Sequence, residues 1–524
     1  MRLLRVVGGL MLLFITVGDS AKLPHRSSEE GDDILTQRYW YEHADKTLQK
    51  KQKISENLER GKAKNIIFFL GDGMGMSTIT AARIYKGQKA GLKGAEAELT
   101  FEDFPHVSLS KTYAIDRQTS DSANTATAYL CGVKANYGTL GVNGKVKNED
   151  CDSSKDNSTH VSSILQWAQE EGKSTGFVTT TRVTHATPAG LYAHSASRDW
   201  EAESPGGDEK CPDIALQLVK QNPGKNIQVI LGGGRQSFFP NNEPDVESKE
   251  MGKRKDGKNL VNEWLDHKNN ISSKVNYVHN LEGFENVTAD ETDYLLGLFE
   301  YSHMQYEFER VTSNSEPSIT DMTKKAIQIL SKNSKGYFLL VEGGRIDHGH
   351  HDGMAKRALE EVVSFDKAIK LALEMTNRED TLLLVTADHS HTMTISGYPL
   401  RGNNILGTYV SRDEKVEYTV LGYANGPGYN TSRTFKKNST LGNDYKQPAT
   451  FYLESETHGG EDVPVFAIGA VAHLFHGVHD QTYIPHAIGY AACIGPNKDY
   501  CKGAASISPI PSFLVPFVVL PHIF

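Results

Sequence analysis

Residues 337–351 read Tyr-Phe-Leu-Leu-Val-Glu-Gly-Gly-Arg-Ile-Asp-His-Gly-His-His. Five strand-forming residues run to Val341 and stop at Glu342 and a glycine pair. From Glu342 to His351 the chain then offers one glutamate, one aspartate and three histidines. If the second half is helical, Asp347 and His351 stand four apart and share a face. Carboxylate oxygen and imidazole nitrogen together suit a zinc ion. In an open α/β sheet, ligands gather beyond the carboxyl ends of the strands. The residues just beyond each apolar run are therefore the candidates for chemistry.

The run 65–70 ends in Gly71-Asp72-Gly73-Met74-Gly75, and the run 381–386 ends in Ala387-Asp388-His389-Ser390-His391. Glu456-Thr457-His458-Gly459-Gly460-Glu461-Asp462 leads into a further run at 463–468. Other strand-like runs lie at 175–181 and 227–231, and helical patterns at 77–85, 122–130, 161–171, 321–330 and 356–375. In the last of these, Leu359, Val362, Ile369 and Leu373 keep the helical spacing. Such alternation predicts an α/β fold with a mainly parallel central sheet and helices on both faces. Strand ends then share one edge, so their carboxylates and imidazoles converge in numbers that imply more than one metal. The polar, lysine-rich stretch 236–300 reads as a surface excursion. Residues 397–457, rich in Gly, Asn, Tyr and Thr, read as a β-rich insert. Residues 39–60 read as a helix. His473, His476, His479 and His486 sit at no strand end and read as structural.

Asp121-Ser122-Ala123-Asn124 leads into a helix former. Asp121 fits a helix cap, and Ser122 fits a nucleophile at a helix N-terminus, where exposed N–H groups and the dipole favour an anion. Two nucleotide motifs fail. Gly71-x-Gly73 would need a glycine at Met76, and Gly172-Lys173-Ser174 would need one at Trp167.

The chain has 524 residues, with 56 Lys and Arg against 65 Asp and Glu, a net charge of −9. That balance argues against a general nucleic-acid binder. Arg2 and Arg5 precede an apolar run at 6–17 and then small residues, the pattern of a signal peptide over 1–20. Gly503-Ala504-Ala505-Ser506, a short spacer and an apolar tail fit a lipid-anchor signal at 504–524, removed on attachment. Cys493 and Cys501 could bridge a short loop and Cys151 with Cys211 a longer one, leaving Cys131 as a buried thiol; other pairings remain open. Sequons stand at Asn157, Asn270, Asn286, Asn430 and Asn438, which suits an exported glycoprotein.

At the quoted runs, together with Thr184-His185-Ala186-Thr187-Pro188, the chain resembles animal alkaline phosphatases, in family order from about residue 40 to 500. The resemblance implies a catalytic domain over 21–503 that hydrolyses small-molecule phosphate monoesters through a phosphoserine on Ser122. It assigns one zinc to Asp347, His351 and His458 and a second to Asp72, Asp388 and His389. It assigns a magnesium to Asp72, Thr187 and Glu342. Arg198 would clamp the phosphate, oriented by Asp121, with His185 and His348 behind the magnesium and the phosphate. A calcium would lie at Glu247, the Phe299 carbonyl, Glu300 and Glu316; the family usually has aspartate at the last. The cysteine pairing above also fits the family. So do a GPI anchor at the outer face of the cell membrane and a homodimer, with 397–457 as the crown at its interface. A sulfatase would need a Cys/Ser-x-Pro-x-Arg context, and positions 124 and 126 are Asn124 and Ala126.

Overall fold

In strands of this composition successive side chains alternate between faces, and here both faces are covered. Ile66, Phe68 and Leu70 join one apolar core while Ile67 and Phe69 join a second on the other side of the sheet. Their neighbours keep the same alternation, Phe68 lying level with Leu340 on one side and Leu384 on the other. All these side chains are fully buried. Each such burial contributes about 1.5–3 kcal/mol of transfer free energy, which is why central strands read as unbroken apolar runs.

The structure, a computed structural model, describes residues 35–54, 61–205, 211–272, 274–430, 435 and 439–504. The signal-peptide segment 1–20 and nearly all of the anchor signal lie outside the described residues. Ten strands form the main sheet: β1 Asn65–Gly71, β2 His106–Lys111, β3 Ser174–Arg182, β4 Val229–Gly233, β5 Val275–Val278, β6 Tyr294–Leu298, β7 Tyr337–Gly343, β8 Thr381–Thr386, β9 Val463–Gly469 and β10 Gly477–Asp480. Their spatial order is β10-β2-β9-β8-β1-β7-β3-β4-β6-β5. Only β9 runs antiparallel to its neighbours. Helices Gln37–Ile54, Ser122–Cys131, Ile164–Glu170 and Tyr483–Ala492 supply side chains to one core. Helices Met76–Lys89, Ile319–Leu330 and Ala355–Met375 supply the other. The mainly parallel, doubly covered sheet expected from the strand–helix alternation is the observed fold.

The outer strands are where the reading of the sequence falls short. The stretch 236–300, expected to be a surface excursion, carries β5 and β6 of the main sheet. The run Tyr294-Leu295-Leu296-Gly297-Leu298 is a buried strand whose signal is drowned by its lysine-rich flanks, and β5 is an edge strand with one buried residue. Strand β2 inverts the usual pattern. Ser108 and Ser110 face inward while Val107 and Leu109 are exposed, and His479 of β10 bonds Ser108 Oγ at 3.0 Å. The first helix ends at Ile54, and residues 55–60 lie outside the described residues.

The insert forms small separate sheets, one of three strands (Leu421–Gly426 and Ala449–Tyr452 with Met393–Ile395, which just precedes the insert) and one of two (Thr408–Val410, Glu417–Thr419). Disulfides join Cys151 to Cys211 and Cys493 to Cys501, and Cys131 is free and buried. Lys173, of the rejected phosphate-loop motif, spends its ammonium on the carbonyls of Lys64 and Lys335 at 2.7 and 2.9 Å. His486 is buried against Tyr41 and Trp167, and His476 bonds the carbonyl of His473, so that histidine group is structural.

Candidate metal centre and active site

Register places the site. Leu70 of β1 lies level with Glu342 of β7 and with Thr386 of β8, so Asp72, Glu342 and Asp388 emerge together at the carboxyl edge of three adjacent strands. Gly73 comes after Asp72 with φ +66°, and a Cβ there would run into the His391 ring. Glycine is therefore required for the turn to pass so close. The short helix Arg345–His351 begins at once beyond β7 and carries Asp347, His348 and His351. Ser390–His391 and His458–Gly459 pair antiparallel, His391 opposite His458, which brings the last ligand-type segment to the same edge.

Ser122 opens the helix Ser122–Cys131, and Asp121 caps it by accepting from Ala123 N. The Ser122 hydroxyl lies 3.5 Å from both Asp72 carboxylate oxygens and 3.3 Å from His389 Nε2. Arg198 donates through Nη1 to Asp121 Oδ2 at 3.0 Å and through Nη2 to His185 Nε2 at 3.1 Å. His185 stands just before the four-residue helix Ala186–Ala189 that carries Thr187. Ser122, Arg198, Asp347, His348, His351 and His458 line one open cavity of about 360 Å³.

Three arrangements suit a cation. The Nδ1 atoms of His351 and His458 face the carbonyls of Glu456 and Ser120 at 2.5 and 2.7 Å, so each Nδ1 carries the proton. Their bare Nε2 atoms then face one another at 3.1 Å, and Asp347 Oδ1 at 3.3 and 3.4 Å. Lone pairs aimed at one point in this way repel unless a positive ion lies between them. His389 repeats the pattern. Its Nδ1 faces the Ser390 carbonyl at 3.2 Å, while Nε2 faces Asp388 at 3.1 Å and Asp72 at 3.6 Å. Glu342 is fully buried, with Oε2 accepting from Thr179 and Thr181, while its Oε1 has no hydrogen-bond partner within ordinary geometry among the described residues. Groups able to hold a metal accordingly include Asp347 with His351, His391 and His458; Asp72 with Asp347 and His389; and Asp72 with His185 and Glu342.

The electrostatics agree. Burial, then Asp388, Asp347 and Glu342, push the Asp72 carboxyl well above the usual range, and burial pushes Glu342 up to about 7. Burial opposes ionisation of Asp347 too, yet its carboxyl is held low, with the His391 bond at 2.8 Å favouring the charged form. His348 and His389 are held neutral chiefly by burial. Four carboxylates so close and so dry would destabilise the fold without compensating positive charge.

The expected residues Asp72, Asp121, Ser122, His185, Thr187, Arg198, Glu342, Asp347, His348, His351, Asp388, His389 and His458 thus meet at one edge. Glu247, Phe299, Glu300 and Glu316 lie elsewhere, around the end of β6. Glu247 is engaged by Arg235 at 2.5 Å, and Gln305 donates to both Glu300 and Glu316. Burial first, then Glu300, push the Glu316 carboxyl up to about 9. In protein free of added cations this group takes up a proton on folding between its ordinary value and about 9. Stability therefore falls as pH rises through that window and levels off above it. Glu316→Gln should differ least from wild type near about pH 5 and exceed it by a margin that grows to about pH 9. Thermal melts in chelator read this directly, and parallel pH profiles for the two proteins would refute it.

Four participants were not assigned from the sequence. His391 bonds Asp347 at 2.8 Å, Glu456 bonds His391 at 2.5 Å, and Thr179 and Thr181 hold Glu342. His391 stands in the quoted run Asp388-His389-Ser390-His391, and Glu456 two residues before His458, so proximity in sequence was the available signal. Thr179 is level with Glu342 across β3 and β7, which only the register reveals.

Residues 63–494 match the family model for alkaline phosphatase. This chain belongs to the alkaline phosphatase family. It is 50% identical over 495 residues to the tissue-nonspecific alkaline phosphatase isozyme of Felis catus, covering 91% of this chain and 93% of that one. It is 42% identical over 501 residues to the membrane-bound alkaline phosphatase of Bombyx mori, covering 92% and 91%. The solved alkaline phosphatase of the Antarctic bacterium TAB5 shares the fold, with a TM-score of 0.57 at 24% identity over 82% of this chain and 98% of that one. As a family member the chain is an enzyme of the phosphomonoesterase class, and its metal-type clusters sit where the alkaline phosphatase sheet ends.

Proposed function

We propose that this alkaline phosphatase hydrolyses phosphate monoesters through a phosphoserine on Ser122, with two zinc ions and one magnesium. The observation that carries the reading is the set of facing lone pairs and buried carboxylates around Ser122. Asp347, His351 and His458 would hold one zinc, Asp72, Asp388 and His389 the other, and Asp72, Thr187 and Glu342 the magnesium. When bound, these ions would supply Lewis acidity and neutralise the charge of the phosphoryl group.

The chain's own residues do the rest. Asp72 and His389 bracket the Ser122 hydroxyl, which loses its proton as Oγ attacks phosphorus. The bond from phosphorus to the ester oxygen breaks, and the alcohol leaves with a proton. Arg198 keeps one N–H on each terminal nitrogen for the phosphoryl oxygens, because its others go to Asp121 and His185. Water then attacks the phosphoserine from the opposite side, releasing inorganic phosphate and restoring the hydroxyl. Two inversions leave the configuration at phosphorus retained. Positioning and charge neutralisation supply most of what phosphoryl transfer needs. The grip is on phosphate and not on the alcohol, so the enzyme should accept a broad range of leaving groups.

The test is hydrolysis of a chromogenic phosphate monoester from about pH 6 to 11, before and after chelation. Activity should rise into alkaline pH, vanish on chelation and return only with zinc and magnesium together. Inactivity of fully metallated protein would reject the reading.

We also propose export with loss of residues 1–20, a GPI anchor from a signal at 504–524, and a homodimer joined through the 397–457 insert. The exposed Asn157, Asn270, Asn286 and Asn430 support glycosylation. The membrane-bound relative supports anchoring, and no helix among the described residues is long and apolar enough to cross a membrane. A phosphatidylinositol-specific lipase should release the protein from membranes, and full retention after treatment would count against the anchor. A calcium at Phe299, Glu300 and Glu316 would take Glu247 as well only if Glu247 leaves Arg235.

A further inference from the structure

We propose that Glu456 is a positioning residue for the metal centre: its carboxylate clamps His391 against Asp347 while its main-chain carbonyl orients His351. The proposal rests on the reading of Asp347 and His351 as ligands of one zinc.

Glu456 is 1% exposed. Its Oε2 accepts from His391 Nδ1 at 2.5 Å, and its Oε1 accepts from Thr392 N at 2.7 Å and Thr392 Oγ1 at 2.5 Å. Three polar atoms, His391 Nδ1, Thr392 N and Thr392 Oγ1, therefore face its two oxygens. A glutamine has one acceptor oxygen and would turn an NH₂ group onto a donor. At the far end of the imidazole, His391 Nε2 donates to Asp347 Oδ1 at 2.8 Å. The ring is thus held at both ends, and the Asp347 carboxylate cannot rotate. The main chain of the same residue acts on the neighbouring ligand. Glu456 O accepts from His351 Nδ1 at 2.5 Å, and Glu456 N donates to His351 O at 2.9 Å. The first bond fixes the tautomer that aims His351 Nε2 into the site, and the second ties the two main chains together.

Glu456 closes the 397–457 insert, and strand Leu421–Gly426 lies against it. A Cβ on Gly426 would come within 3.0 Å of the Glu456 Cβ. Tyr423 of that strand hydrogen-bonds His350 Nδ1 at 2.8 Å. The insert therefore holds the ligand-bearing helix Arg345–His351 through two separate contacts. Outer partners of metal ligands typically account for about 10–100-fold in metal affinity.

The experiment compares full-length wild type with Glu456→Gln by zinc competition against a chromogenic chelator, alongside melts of the metal-free proteins. The expected result is selective. One zinc per chain should be held about 10–100-fold more weakly, the other should be almost unchanged, and the metal-free melt should shift little. Equal affinities in wild type and variant would overturn the proposal, as would equal loosening of both ions with a lower metal-free melt, the mark of a packing role. Should Glu456→Gln not fold, Glu456→Asp keeps the charge but withdraws it from His391; the same selective loosening is expected, and wild-type affinity would overturn the proposal. Wild-type protein that takes up no zinc would instead remove the underlying reading of the site, and the proposal with it.

Discussion

Ser122→Ala should abolish the phosphoenzyme and lower kcat by on the order of 10⁵–10⁶, while zinc content stays close to wild type. The two halves of that expectation have separate physical grounds. The hydroxyl is the one group at the site placed to attack phosphorus from a helix N-terminus, and alanine supplies no nucleophile. Yet Ser122 holds little of the structure through its Oγ, whose contacts with Asp72 and His389 are all 3.3 Å or longer. The helix cap belongs to Asp121, which accepts from Ala123 N, and alanine is the best helix former. Acid quenching during turnover of a phosphorus-labelled monoester, with metal analysis of the same preparation, reads both. Label remaining on the variant protein would exclude Ser122 as the acceptor. Zinc lost together with activity would make Ser122 a structural residue.

Arg198→Ala should lower kcat/KM by about 10²–10³ and relieve inhibition by inorganic phosphate. Arg198 is partly open to the cavity, its side chain 24% exposed, while Asp121 beneath it is 2% exposed. Removing the guanidinium leaves Asp121 its bonds from Ala123 N at 3.3 Å and Gly138 N at 3.0 Å, so the helix start should survive. Arg198→Lys should recover only part of the loss, because a single ammonium cannot reach Asp121, His185 and two phosphoryl oxygens at once. The inhibition constant for phosphate is the decisive reading. If it is unchanged in Arg198→Ala, the clamp lies elsewhere.

The centre of the fold and the ligand-type residues were legible in the sequence for one reason. A central parallel strand is buried on both faces, so it appears as an unbroken apolar run whose end is marked by a change of chemistry. Asp72, Glu342 and Asp388 sit at such ends, and parallel order alone sends them to one edge. The pairing of Cys151 with Cys211 and of Cys493 with Cys501 was among the pairings the sequence allowed, and the folded chain selected it. The outer strands were hidden because edge burial is one-sided or inverted. Ser108 and Ser110 are inside while Leu109 is outside, and β5 has almost no buried side chain.

Sequence by itself therefore determined the kind of sheet, the edge where chemistry gathers and the residue types found there. Tertiary structure alone decided how those residues are aimed. The His458 imidazole is oriented by a carbonyl 338 residues away at Ser120, and Asp347 is pinned by His391, which Glu456 holds from 65 residues further along. Periodicity in a sequence reports which side chains leave water. A tautomer, or the direction of a lone pair, is set by whichever donor or acceptor the folded chain brings to the other side of the ring, and no local pattern encodes that partner.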